Sequence, residues 1–112
     1  MKKITLTCAH AIVKYLIAQK ILIDGKKEPL FPGVFGIFGH GNVACLGQAL
    51  EESQNELPTY RGHHEQNMAL TGIGYARGKR RQQIFVATSS VGPGATNMVT
   101  AAAVAMSNRL PI

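Results

Sequence analysis

Acidic residues are scarce in this chain. Its 112 residues include 6 Asp and Glu against 12 Lys and Arg, which gives a net charge of +6 at pH 7, and no acidic residue follows Glu65. A basic balance can indicate nucleic-acid binding. The densest basic run, residues 77–81, contains no aromatic residue, however, and a solvated helix end has the same composition. We therefore expect no nucleic-acid partner.

Cysteine and long apolar runs are also scarce. Cys8 and Cys45 are too far apart in sequence to form a Cys-x-x-Cys pair, so we expect neither a disulfide framework nor a zinc site, and the default location is a reducing cytoplasm. The first twenty residues could be taken for a signal peptide, but His10 and Lys14 interrupt their apolar part and no small-residue cleavage site follows. No stretch is long and apolar enough to span a membrane.

Glycine-bounded apolar runs alternate with helical patterns along the chain. A first helix is predicted from a cap at Thr5 or Thr7 to about Gln19, followed by a polar turn that pivots on Asp24-Gly25. The later elements are predicted as strands at 33–39, 59–61 and 83–89, helices at 43–53, 65–77 and 97–107, with Gly78 as a left-handed stop, and another strand beginning at 110–112. Strands separated by helices pair in parallel, so the expected fold is α/β, a parallel sheet flanked by helices. The last strand is cut at Ile112, so we expect a truncated domain, with no second domain in residues 1–112.

Three glycine-rich loops follow the three predicted strands. They are Gly39 to Asn42, Gly62 to Glu65 and Ser89 to Asn97, and each leads into a helix. Such loops can be no more than tight connections. Ligands of open parallel sheets, however, bind outside the carboxyl ends of the strands, where all three loops meet. Three loops of this kind on one edge favour a binding site.

Familiar motifs do not account for these loops. Residues 39–44 match the dinucleotide fingerprint G-x-G-x-x-A, but the second strand lacks the acid that binds ribose. There is no P-loop, and Ser89 and Ser90 do not lie in a nucleophile elbow. The adjacent His63 and His64 would point to opposite sides of an extended chain, and no cysteine or second carboxylate completes a metal shell with them or with His40. We expect no metal ligands in this chain.

Glu65 is the candidate that remains. Its ordinary role would be an acid in a first helical turn, where the helix dipole favours it. It also lies on the ligand edge of the sheet, opposite the glycine loops. A single carboxylate there is suited to one strong hydrogen bond with a protonatable heterocycle.

Two paired motifs resemble a known enzyme family. The stretch HEQNMALTGIGYAR, followed by a strand and TSSVGPGATN, resembles the pyrimidine-binding domain of thiamine-diphosphate enzymes of the acetolactate-synthase type, and the resemblance covers nearly the whole chain. Longer stretches, among them FGIFGHGNVACLGQALEE and LPTYRGHHEQNMA, resemble a branch whose members hydrolyse a carbon–carbon bond of an inositol-derived cyclic dione. The G-H-G-N loop and the added Val91 before G-P-G are the departures from the general family that point to this branch.

The resemblance implies roles for named residues. Glu65 matches the family glutamate that hydrogen-bonds the aminopyrimidine ring of thiamine diphosphate, and it would be the catalytic residue. The cavity for cofactor and small-molecule substrate would be lined by Gly39, His40, Gly41, Asn42, Gly92, Pro93, Gly94 and Asn97. In the family, a second domain with a G-D-G…N motif holds the diphosphate and Mg²⁺, and that domain belongs to another subunit of a homo-oligomer. This chain has no G-D-G, so alone it is expected to be inactive. Another enzyme of the same cofactor family and a non-catalytic nucleotide-binding α/β module are the alternatives.

Overall fold

A three-stranded parallel sheet forms the centre of the protein in a computed structural model that describes residues 3–112. The chain order is α1 (Cys8–Ala18), β1 (Lys20–Ile23), β2 (Lys26–Pro29), β3 (Val34–Gly36), α2 (Gly39–Asn42), a π-helical segment (Val43–Gly47), α3 (Gln48–Glu52), β4 (Thr59–Arg61), α4 (Glu65–Gly78), β5 (Val86–Thr88), α5 (Pro93–Thr96) and α6 (Val99–Asn108). The sheet order is β4-β3-β5, with both pairs parallel. The predicted α/β class is confirmed.

Helices cover both faces of this sheet. Val34 pairs with Val86 across β3 and β5, and successive side chains of a strand point to opposite faces. Val34 is buried in a core cluster with Val13 of α1 and Leu50 of α3. On the other face, Phe85 lies 4.6 Å from Phe35, measured between ring centroids. Phe85 also meets Tyr75 of α4 edge to face, and α4 packs in turn on α6. The strands are therefore held between two helical layers, which places their carboxyl ends at one common edge.

The first helix begins as its sequence predicts. The Thr7 hydroxyl accepts a hydrogen bond from the backbone N–H of His10, the arrangement of an N-cap. The helix ends at Ala18, one residue before the predicted end. In the described part of the chain, no helix has both the length and the apolar composition that crossing a bilayer requires.

The polar turn after α1 is the centre of a β-hairpin that the sequence analysis missed. Strands β1 and β2 pair antiparallel, and Asp24 and Gly25 between them have φ of 49° and 78°. Two consecutive positive φ values are typical of the tight hairpin turn that Asp-Gly favours. The turn was predicted correctly, but the lysines and the proline of β2 conceal its strand character.

Two predicted chain features are wrong. Gly78 is the last residue of α4 and has no positive φ; the left-handed residues after this helix are Arg80 and Arg81, with φ of 53° and 65°. The residues 110–112 form no strand; Leu110 instead closes the end of α6 by donating its backbone N–H to the carbonyl of Ala105. In addition, the predicted strands at 33–39 and 83–89 are shorter in the structure, three residues each.

Candidate functional site

Glu65 is buried at the carboxyl-terminal edge of the sheet. It is the first residue of α4 and follows β4 by a three-residue loop, and 7% of its surface is exposed. The preceding His64 has extended backbone geometry and makes no side-chain cap to the helix. The carboxylate therefore occupies the position where a helix N-terminus offers unpaired N–H groups. A buried acid at this place needs hydrogen-bond partners.

Those partners come from the loop after β5. The Ser90 hydroxyl donates to Oε1 of Glu65 at 3.1 Å, and the Asn97 amide nitrogen donates to Oε2 at 3.5 Å, the long limit of a hydrogen bond. Asn97 lies at the end of α5. The single βα connection after β5 thus holds both oxygens of the Glu65 carboxylate in one orientation.

Gly94 leaves room for this arrangement. A Cβ placed on Gly94 would overlap the hydroxyl oxygen of Ser90 and the Oε1 atom of Glu65. Gly94 is itself buried within α5, and Gly92 at the start of that helix has φ of 64°, which favours glycine. The glycines of the third loop therefore let its backbone approach the carboxylate closely.

The first glycine loop contacts the third. Gly39 has φ of 67°, and a Cβ on it would lie 3.0 Å from Cβ of Ser90. The Asn42 amide donates to the backbone carbonyl of Ser89 at 3.5 Å. Ser90 is thus the meeting point of the site, since it touches Glu65 on one side and the Gly39 loop on the other. As an individual residue, the sequence analysis considered Ser90 only as a nucleophile. Its position two residues before the G-P-G-A-T-N stretch was the signal that could have identified it as a partner of Glu65.

Other predicted site residues lie further out. His40 is exposed and borders a cavity of about 310 Å³ together with Gly39 and Val43. An added Cβ at Gly41 would meet open space, and Pro93 is an exposed first residue of α5. Among residues 3–112, no group of three or more His, Cys, Asp or Glu side chains is placed to share a metal ion. The structure brings together Glu65, Gly39, Asn42, Gly94 and Asn97.

The environment of Glu65 favours its ionised form. The pKa of this carboxyl lies below the usual 4.5, mainly because its own backbone N–H donates a hydrogen bond to it. The Asn97 amide, the Ser90 hydroxyl and the nearby His64 lower the pKa further, whereas burial opposes the shift. The group is thus a carboxylate at neutral pH. As an acceptor it has about four lone-pair sites, and its own backbone N–H, Ser90 and Asn97 use three of them. The residues present fit a ligand that brings one further hydrogen-bond donor to Glu65.

The lowered pKa predicts how stability responds to pH. Because the folded-state pKa of Glu65 lies below the unfolded value, its contribution is fully present above about 4.5 and is lost as pH falls through the folded-state pKa. In the full-length protein, the melting temperature of the wild type should exceed that of Glu65→Gln at pH 7, and the gap should shrink below pH 4.5. A gap that stays constant from pH 7 to pH 3 would contradict the assignment.

Comparison with known proteins identifies the family. The pattern described as "Thiamine pyrophosphate enzyme, N-terminal TPP binding domain" matches residues 7–112. The chain therefore belongs to the thiamine pyrophosphate enzyme family.

Several similar proteins have the name 3D-(3,5/4)-trihydroxycyclohexane-1,2-dione hydrolase. The protein of that name from Geobacillus thermodenitrificans is 54% identical over 112 residues, which is 100% of this chain and 18% of the relative. The corresponding proteins of Clostridium tetani and Bacillus thuringiensis are 50% and 49% identical over the same 112 residues, which is 17% of each relative. The chain thus spans less than one fifth of the length of these relatives.

Proposed function

We propose that residues 1–112 are the amino-terminal part of a pyrimidine-binding domain in a thiamine-diphosphate-dependent hydrolase that opens the ring of an inositol-derived trihydroxycyclohexane-dione. The observation that carries the proposal is the buried Glu65 carboxylate, which Ser90 and Asn97 hold at the carboxyl edge of a parallel sheet. Family membership and the shared name of the similar proteins support the cofactor and the substrate class.

In this proposal the residues of the chain bind and orient the cofactor ring and the substrate. Thiamine diphosphate, when bound, supplies the nucleophilic carbon that attack on a ketone requires. Glu65 accepts a hydrogen bond from the aminopyrimidine ring and shares a proton with it, which is general acid–base work by a fixed carboxylate. Ser90 and Asn97 keep both oxygens of Glu65 in place. The loops at Gly39–Asn42, which include His40 and Gly41, and at Gly92–Asn97, which include Pro93, line the pocket for ring and substrate.

In this proposal, residues outside 1–112 bind the diphosphate and Mg²⁺. The sequence from Met1 to Ile112 has no G-D-G motif, and residues 3–112 bring no three metal-ligating side chains together. A second domain, contributed by another subunit of a homo-oligomer in the cytoplasm, would hold these groups. Residues 1–112 alone should accordingly show no activity and no Mg²⁺-dependent binding of thiamine diphosphate in calorimetry. Tight binding by the isolated segment would contradict this division of the site.

A substrate comparison tests the proposed reaction. The full-length protein, saturated with thiamine diphosphate and Mg²⁺, should open the ring of the trihydroxycyclohexane-dione with a kcat/KM at least about tenfold above that for pyruvate, a discrimination of roughly 1.4 kcal/mol in transition-state binding. This expected preference for the dione rests on the similarity of the chain to the dione hydrolases. Efficient pyruvate decarboxylation or acetolactate formation, with no turnover of the dione, would reject the substrate and favour another enzyme of the family.

Cofactor titration separates the enzyme from a nucleotide-binding module. A ligand that binds only the folded protein raises its melting temperature by mass action. Thiamine diphosphate with Mg²⁺ should raise the melting temperature of the full-length protein, and NAD at the same concentration should not. The opposite pattern would favour the nucleotide-binding alternative.

A further inference from the structure

The two cysteines border one small cavity away from the Glu65 site. Cys8 is the first residue of α1 and Cys45 is the middle residue of the π-helical segment, and both are exposed free thiols. They line the same cavity of about 250 Å³. Cα atoms of α1 come within 8 Å of Cα atoms of the π-helical segment, so the two elements that carry the thiols are adjacent.

A hydrogen-bond network fixes the walls of this cavity. The imidazole of His10 pairs with the Thr7 hydroxyl at 2.6 Å through Nδ1 and with Oε2 of Glu52 at 2.9 Å through Nε2. Gln48 donates to the other oxygen of Glu52 at 3.0 Å. The first turn of α1 is thereby tied to α3, which directly follows the segment that carries Cys45. The network therefore ties together the two parts of the chain that carry the thiols.

The same network disfavours a metal centre at this cavity. Both ring nitrogens of His10 are engaged, so the histidine does not offer a free nitrogen beside the two thiols. No group of three metal-ligating side chains forms within residues 3–112. Two thiols without a third ligand are suited to thiol–disulfide chemistry.

The segment that carries Cys45 departs from regular α-helix. A π-helix is a rare, wider turn that replaces the regular helical hydrogen-bond pattern, and it is found where a helix is locally strained or functional. Here it joins α2, the helical turn that the Gly39–Asn42 loop of the candidate site forms, to α3. A bond at Cys45 would therefore restrain the backbone immediately after that loop.

We propose that Cys8 and Cys45 form a reversible disulfide that links α1 to the π-helical segment. Two S–H bonds break and one S–S bond forms, and two protons and two electrons pass to an oxidant of the disulfide or diazene class. With oxidised glutathione the products are the protein disulfide and two molecules of reduced glutathione. A dithiol reductant reverses the reaction.

Peptide mapping of the oxidised full-length protein tests the proposal. The protein is treated with diamide, quenched in acid and digested with trypsin without reduction. We expect a linked pair of the peptides 4–14 and 28–61, lighter by two hydrogens than the sum of its parts and released by dithiothreitol. The pair should form at least about tenfold faster in the folded protein than in guanidinium chloride, because the fold raises the effective concentration of one thiol at the other. The matched variant Cys8→Ala should abolish the pair and leave Cys45 accessible to a maleimide.

Two results would overturn the inference. One is the recovery of both cysteines as separate glutathione or maleimide adducts with no linked peptide from the folded protein. The other is a linked pair that forms no faster in the folded than in the denatured protein, or only in covalent dimers. Circular dichroism of the Cys8→Ala and wild-type proteins confirms that the comparison is made between folded molecules.

Discussion

Replacing Glu65 with glutamine should slow deuterium exchange at the thiazolium carbon of bound thiamine diphosphate by about two orders of magnitude or more, the usual size of a lost general acid–base group. The measurement uses the full-length protein saturated with cofactor and Mg²⁺, quenched in acid and followed by proton NMR. Glutamine keeps the shape of the side chain and can still accept from Ser90, but its neutral amide cannot share a proton with the ring. The lowered pKa of Glu65 means that the wild-type group enters this exchange as a carboxylate.

The matched control is Glu56→Gln. Glu56 is an exposed glutamate in the turn between α3 and β4, and its loss changes the net charge by the same amount. This variant should exchange at the wild-type rate. A Glu65→Gln protein that is folded, saturated with cofactor and as fast as wild type would remove Glu65 from its proposed role, while leaving family membership untouched.

The position of Glu65 was predictable from the sequence for a physical reason. An acid directly before a small-residue helical run, after a strand, belongs to a first helical turn at the ligand edge of a parallel sheet. The structure starts α4 at this residue. The three glycine loops were assigned to the same edge, and the contacts between Gly39, Ser90 and Glu65 agree with that assignment.

The partner of Glu65 was not predictable in the same way. Ser90 hydrogen-bonds a residue 25 positions earlier in the chain, and no local periodicity encodes such a contact. The π-helical segment is equally hidden, because its sequence VACLG reads as an ordinary helix that contains one glycine. The strand wrongly predicted at 110–112 has a related cause. The short apolar sequence LPI is compatible with a strand, whereas the hydrogen bond from Leu110 to Ala105 depends on how α6 ends.

Replacing Gly94 with alanine should weaken binding of thiamine diphosphate to the full-length protein. The added Cβ would overlap the Ser90 hydroxyl and Oε1 of Glu65, so one or both must move. Overpacking of this kind costs about 1–3 kcal/mol, which corresponds to a roughly five- to 150-fold rise in Kd if the strain falls on the binding geometry. Isothermal titration calorimetry at saturating Mg²⁺ measures this change. Gly74→Ala is the matched control, since Gly74 lies within α4 with no neighbouring atom near an added Cβ; it should leave the Kd unchanged and stabilise the helix by about 0.5–1 kcal/mol.

A double variant shows whether Gly94→Ala weakens cofactor binding by straining the Ser90–Glu65 contact or by disturbing the loop elsewhere. Ser90→Ala removes one of the two atoms that the new Cβ would meet, and with it a hydrogen bond to Glu65. If the strain of Gly94→Ala is relieved at Ser90, the loss of affinity in the double variant should be smaller than the sum of the losses in the two single variants, because residues in contact do not act additively. Strict additivity would place the effect of Gly94→Ala outside the Ser90–Glu65 contact. Because Ser90 also lies against Gly39, non-additivity without any change in the pKa of Glu65 would instead place the strain on the Gly39 loop.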